Sequence, residues 1–208
     1  FARLLLLNLS YRLRAQTWNQ NQPLRYIGID FSVAALHAAQ DATSDALKHV
    51  DRLFSGRISG PTPVSQQWVR GRSVETLPFA DHSFDRIVAN LSLSFSRSPL
   101  HALRELFRVL RPGGKLIVSA ITPLADMALP YRSSLQELGV DAFSGDARLA
   151  LNRMAQCCVA LRVGQLHAFQ EESLSAALAQ VTSTPTRLVR TFSGQILVAL
   201  AEKPDSAG

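Results

Sequence analysis

Cysteine is almost absent from this 208-residue chain, and the two present, Cys157 and Cys158, are neighbours. Adjacent residues make a geometrically poor disulfide, and two thiols alone cannot complete a zinc site. A disulfide framework is therefore excluded, and inert thiols in a reducing compartment are expected. Long apolar runs are also missing. The Leu4–Leu7 cluster falls far short of the ~20 residues that cross a bilayer, so no membrane span is expected. The net charge is +6 and the pI about 10.0, yet the basic residues are scattered, with no Lys/Arg block or interleaved aromatics. Ordinary surface charge accounts for that pattern better than a nucleic-acid footprint, which would be clustered. Internal repeats and low-complexity tracts are absent, which removes the repeat architectures. No glycine precedes Gly28, and the first residue is Phe rather than Met, so the chain is expected to be a piece of something longer.

What is present fits one α/β domain with a substantial core: 47% hydrophobic residues, a mean hydropathy of +0.07, and too little length for two comfortable domains. The most informative stretch is Trp68–Ala120. Two apolar, β-branched runs, Arg86–Ala89 and Lys115–Val118, flank a segment with Leu100, Leu103, Leu106, Phe107 and Leu110 at helical spacing. Strand, helix and strand in that order predict a parallel βαβ crossover. Ser98 stands at the N-cap position and Pro99 at the first helical position. Arg111-Pro112 ends the helix, and Gly113-Gly114 turns the chain into the next strand.

Along the rest of the chain, Phe1–Trp18 carries leucines at helical spacing, closed by the Asn19–Gln22 cluster and Pro23. Arg25–Asp30 reads as a strand ending in an acid, followed by Ser32 as N-cap of a helix through Val33, Leu36 and Ala39. Residues 55–65 form a Gly/Pro/Ser-rich loop, and Gln66–Arg70 the next strand. A helical insertion is expected at about 123–168, with Tyr131, Arg132, Arg148, Arg153 and Arg162 among its polar residues. Glu171–Val181 reads as a helix. Arg187–Phe192 and Gln195–Ala201, around Ser193-Gly194, read as an antiparallel hairpin.

Four of these pieces, YIGIDFSVAAL, VETLPFADHSFD, the strand end VAN and RVLRPGGKLIVS, occur in the order seen in class I S-adenosylmethionine-dependent methyltransferases. The chain resembles most the branch of small-molecule methyltransferases that includes quinone- and biotin-pathway enzymes. That resemblance implies a Rossmann-like fold, a mostly parallel sheet ending in an antiparallel hairpin, across a single domain at 1–208. It also implies S-adenosyl-L-methionine as cofactor, a small-molecule substrate, and a substrate-covering role for the 123–168 insertion. A cytoplasmic or organelle-matrix location accompanies it.

The resemblance also distributes roles. Asp30, at the C-terminal end of a parallel strand, would accept the ribose hydroxyl protons. Phe31 would lie against the adenine. Aligning back from Leu77-Pro78-Phe79 puts Ser73, beside Val74, where the family usually places an adenine-binding Asp; a serine offers a neutral hydrogen bond in place of a charge-assisted one. Asn90 would face the methionine part. Asp81 and Asp85 read as turn residues, and His82 and His101 as exposed polar positions rather than bases. Methyl transfer from a sulfonium needs alignment more than a triad or a metal, so the catalytic residues stay unassigned and no metal is implied.

One departure is large. The family opens with a strand and a Gly-rich loop, and neither is evident here, so the first strand reads as missing or degenerate. Either the chain starts after that loop and Phe1–Trp18 is the first helix, or Arg3–Asn8 is a degenerate strand and Asn8–Arg12 replaces the loop. The missing strand would sit mid-sheet, and its loss would leave two half-sheets with unpaired inner edges. Two functions therefore compete: methyl transfer by the complete protein, or a non-catalytic methyltransferase-like scaffold or assembly factor.

Overall fold

The computed structural model describes residues 24–53, 64–126 and 159–205, together with positions 129, 133, 136 and 156. The expectations for Phe1–Trp18, the 55–63 loop, the cysteine pair, Tyr131, Arg132, Arg148, Arg153 and most of the 123–168 insertion lie outside these residues. The chain divides into two compact units, Phe1–Arg72 and Ser73–Gly208.

In the first unit, strand β1 (Leu24–Asp30) pairs in parallel with β2 (Val64–Arg70), joined through helix α1 (Val33–Leu53). The helix buries Leu36, Thr43, Ala46 and Val50, one stripe at helical spacing. Fully buried Thr43 hydrogen bonds back to Ala39 O (2.8 Å) and across to the Gln66 side chain (2.8 Å), tying α1 to β2. Gly28 lies opposite Trp68 in the parallel register, and Tyr26 meets the same indole edge-on with ring centroids 5.6 Å apart. A Cβ at Gly28 would sit 2.3 Å from the Trp68 ring, so no larger residue fits without moving the indole. Gly28→Ala is expected to displace Trp68 and destabilise the protein by about 1–3 kcal/mol. A shift in tryptophan emission together with a lower urea midpoint checks this; an unchanged spectrum and midpoint contradicts it.

The second unit holds a four-stranded sheet in the order β3-β4-β6-β5: β3 (Phe84–Ala89), β4 (Leu110–Ile121), β5 (Arg187–Thr191) and β6 (Ile196–Glu202). β3 and β4 are parallel, whereas β6 runs antiparallel to both β4 and β5. The expected hairpin is therefore present. Its turn carries three consecutive residues with positive φ, Phe192, Ser193 and Gly194, and Gly194 is the one with no steric cost there.

Between β3 and β4 lie the short helix α2 (Ser92–Phe95) and helix α3 (Pro99–Val109). Helix α4 (Glu171–Ala179) precedes the hairpin. Leu116, Val118 and Ala120 of β4 alternate inward beside Leu197, Ala199 and Ala201 of β6. They form one core with Leu103, Leu106 and Phe107 of α3 and Leu174 and Leu178 of α4. The opposite face leaves Ile117, Val189 and Leu200 more than a third exposed.

Two local details differ from the sequence reading. Leu100 is only half-buried, while Ala102 and Val109 join the buried stripe of α3. The Pro-Gly-Gly segment lies within β4 rather than before it. Leu110 already pairs with Phe84, and Lys115 pairs with Arg86, so residues 111–114 bulge opposite Asp85. Gly113, at φ 68°, makes the fold-back possible. Its N–H donates to Lys203 O (2.9 Å), and Lys203 N–H donates to Gly114 O (2.9 Å), so the bulge keeps its backbone partners. The Lys203 ammonium reaches the carbonyls of Phe107 (2.5 Å) and Leu110 (2.8 Å), placing a cation at the C-terminal end of α3.

Candidate functional site

The first unit presents Asp30 and Phe31 where β1 ends and α1 begins. Asp30 Oδ1 accepts the Ser32 N–H at 2.8 Å. Ser32 in turn accepts the Ala35 N–H through Oγ (3.2 Å), the N-cap bond expected from the sequence. The Asp30 carboxylate has about four lone-pair sites and the Ser32 N–H occupies one, leaving the rest for donors such as a pair of ribose hydroxyls. Phe31 is 68% exposed, so its ring is available as a flat apolar surface.

The second unit presents Ser73, Val74 and Asn90. Ser73 opens a tight turn that bridges to Thr76. Its hydroxyl donates to Glu75 Oε2 (2.9 Å) and accepts the Glu75 N–H (3.1 Å). Val74 packs against the core. Glu75 is bound from the far side as well: Oε1 accepts the Ser96 hydroxyl (2.6 Å) and the Ser98 N–H (2.8 Å). Chiefly through the Ser96 bond, then the Ser98 N–H, the Glu75 carboxyl is held down to about 2, against a partial opposing effect of burial. Ser98 takes the N-cap position of α3 but makes no side-chain cap bond; its N–H donates to Glu75.

A second carboxylate braces the same turn. Glu105 accepts the Leu77 N–H (2.8 Å) and is gripped by Arg108 through Nε and Nη2 (2.7 Å each), while Arg108 also reaches Asp81. The Glu105 carboxyl is lowered, first by the Arg108 hydrogen bond. For both acids the folded pKa lies below the unfolded one, so the unfolded chain binds more protons in that interval. Their contribution is complete above about 4.5 and disappears as pH falls towards about 2 for Glu75. The stability gap between the native protein and Glu75→Gln is therefore expected to narrow from about pH 5 to about pH 3 in urea unfolding. A gap that stays constant contradicts the assignment.

Asn90 follows β3. Its Oδ1 accepts the hydroxyl of Ser119 (2.8 Å), and that buried hydroxyl accepts the Leu91 N–H (2.9 Å). Among the described residues the Asn90 NH2 donates to no other group. Leu91 is left-handed at φ 57°, a conformation unfavourable for a branched side chain and held here by the Ser119 bond. Ser94, fully buried, accepts the Ile121 N–H (3.3 Å) and fixes α2 to the end of β4.

His82 and His101 are both exposed, as the sequence indicated. His82 Nδ1 lies 3.2 Å from Leu110 O and 3.2 Å from Lys203 Nζ, at the end of α3. His101 lines a shallow surface groove along α3 with Ser98, Leu100, Arg104, Glu105 and Arg108. Asp85 pairs with Arg111 (2.8 Å) and braces the bulge. Glu75 and Ser119 were missed by sequence reasoning. The only signal for Glu75 was its place two residues after Ser73, and for Ser119 there was none, since its partners are about thirty positions upstream. Among the described residues no group of three or more His, Cys, Asp or Glu could hold a metal ion, and no helix is long and apolar enough to cross a membrane.

Residues 12–118, about half the chain, match the methyltransferase domain family. Over 80 residues the chain is 38% identical to a ubiquinone/menaquinone biosynthesis C-methyltransferase of Roseobacter denitrificans, covering 38% of this chain and 32% of that one. Over 49 residues it is 51% identical to a malonyl-[acyl-carrier protein] O-methyltransferase of Erwinia pyrifoliae, covering 24% and 19%. The matched stretches thus span about a third or less of these relatives' own length. In fold, the chain is similar to a SAM-dependent methyltransferase of Methanosarcina mazei, with a TM-score of 0.52, 18% identity, and coverage of 96% and 87%. The strand-end acid, the terminal antiparallel pair and the family match agree: the chain belongs to the class I S-adenosylmethionine-dependent methyltransferases.

Proposed function

We propose that the complete protein transfers the methyl group of S-adenosylmethionine to a small-molecule acceptor. The carrying observation is Asp30, an acid at the end of a parallel strand whose carboxylate is oriented by Ser32 and still has acceptor sites to give. Taken singly, the groups suit parts of the cofactor: in the first unit the Asp30 carboxylate suits the ribose hydroxyls and Phe31 an adenine face, and in the second unit the Ser73 hydroxyl, beside Val74, suits an amino group and the Asn90 amide the methionine part. Bound there, S-adenosylmethionine supplies a methyl group already activated on a sulfonium. What the chain must contribute is alignment and exclusion of water, to which the pinned 90–94 segment is suited. The family match, residues 12–118, takes in parts of both units, which supports reading those parts as one domain. The names of the relatives, a quinone-pathway C-methyltransferase and a malonyl-carrier O-methyltransferase, support an acceptor of similar scale.

The scaffold reading draws on one observation, a neutral serine at position 73 where the family usually places an acid. Calorimetry of the complete protein with S-adenosylhomocysteine separates the two. Saturable binding, followed by methyl gain in an acceptor screen read by mass spectrometry, supports the enzyme. Absence of binding at millimolar ligand sinks it.

A further inference from the structure

We propose that Glu75 is a positioning residue that fixes the hydrogen-bonding sense of Ser73, making the serine hydroxyl an acceptor for the 6-amino group of the cofactor's adenine. The inference rests on the methyltransferase reading above and gives this chain its own solution to the missing acid at position 73.

A serine hydroxyl has one proton and two lone pairs, and on its own it turns to suit any partner. At Ser73 that freedom is removed. The proton is directed to Glu75 Oε2 (2.9 Å), and one lone pair receives the Glu75 N–H (3.1 Å). One lone pair is left, on a side chain that is half-exposed. The carboxylate cannot swing aside, because Oε1 is held by the Ser96 hydroxyl (2.6 Å) and the Ser98 N–H (2.8 Å). Four hydrogen bonds thus lock a neutral hydroxyl into presenting an acceptor. Donation to an anionic partner also raises electron density on the serine oxygen, which strengthens the bond it accepts. An N–H2 at purine position 6 meets a matching group. A carbonyl there meets a lone pair and loses its hydrogen bond.

The same geometry predicts an inversion. In Glu75→Gln the Ser96 hydroxyl and Ser98 N–H both require an oxygen at the Oε1 position, so the new amide nitrogen faces Ser73. The hydroxyl oxygen then receives two N–H groups, and its proton turns outward as a donor. The preference should pass from the 6-amino to the 6-oxo ligand.

The experiment is calorimetry of the complete protein with S-adenosylhomocysteine and with S-inosylhomocysteine, in which an oxo group replaces the 6-amino group. The native protein is expected to favour the amino ligand by about three- to tenfold, the span of one neutral hydrogen bond. Glu75→Gln should reverse that ratio, and Ser73→Ala should bring it near unity. Equal weakening of both ligands in Glu75→Gln would mark Glu75 as merely structural and overturn the proposal, as would an unchanged ratio. Binding of both ligands by the native protein with no preference overturns the proposal but leaves the methyltransferase reading standing. Binding of neither overturns both.

Discussion

Asp30→Ala is expected to weaken S-adenosylhomocysteine binding by roughly a hundredfold or more. The estimate follows from the chemistry of the group. Hydrogen bonds to a charged partner contribute about 1.5–3 kcal/mol each, and a ribose offers two hydroxyls to one carboxylate. Asp30 also has a local duty, since Oδ1 accepts the Ser32 N–H at the entrance to α1. Removing it costs about 1 kcal/mol of helix stability in addition, as loss of a capping acceptor does. Asp30→Asn separates the two effects. Its side-chain oxygen can still accept the Ser32 N–H, whereas the amide offers one acceptor and no charge to the ribose. Thermal stability should therefore be near native in Asp30→Asn while affinity remains low. Calorimetry and a melting curve on the same samples measure both. Native affinity in Asp30→Ala would remove Asp30 from the site and, with it, the main support for cofactor binding.

The second large effect is structural. Leu103 is fully buried, on the face of α3 that meets Leu116 and Val118 of β4 and Leu174 and Leu178 of α4. Truncation to alanine removes its transfer free energy and leaves a cavity that a close-packed core fills only in part, a loss of about 2–5 kcal/mol. Against a typical stability of about 5–15 kcal/mol, that is a third or more of the total in many proteins. The control is two residues away. His101→Ala, on the exposed side of the same helix, should change stability by less than about 0.5 kcal/mol. Urea unfolding of the complete protein measures the pair. Comparable small losses for both variants would mean that α3 does not pack as described.

Most of the described elements were legible from the residues because they rest on local rules; the short helix α2 was not among them. Ser32 lies between an apolar strand and an amphipathic run, and its side chain caps α1 as that spacing requires. Pro99 opens α3 and the Leu103–Leu106–Phe107 stripe faces the sheet, since a helix with that period has one apolar side. The hairpin followed from alternation around Ser193-Gly194. Among the described residues β1–β2 and β3–β4 belong to different sheets. Asp30 was identified because position and residue type coincide at a strand end.

What the residues alone determined was therefore the kind of most described elements and the family. The tertiary structure decided which polar groups face one another. Ser98 was expected to cap α3 with its side chain, yet its N–H goes to Glu75, more than twenty positions earlier. Leu100 is half-buried, whereas Ala102 and Val109 are buried on α3. Asn90 and Ser119 found each other only because β3 and β4 run in parallel with Ala89 opposite Val118, which brings the next residue of each strand side by side. Periodicity and caps depend on neighbours three or four residues apart and survive in a list of letters. A hydrogen bond depends on donor and acceptor meeting within a few tenths of an ångström, and only packing brings residues 75, 96 and 98 to that distance.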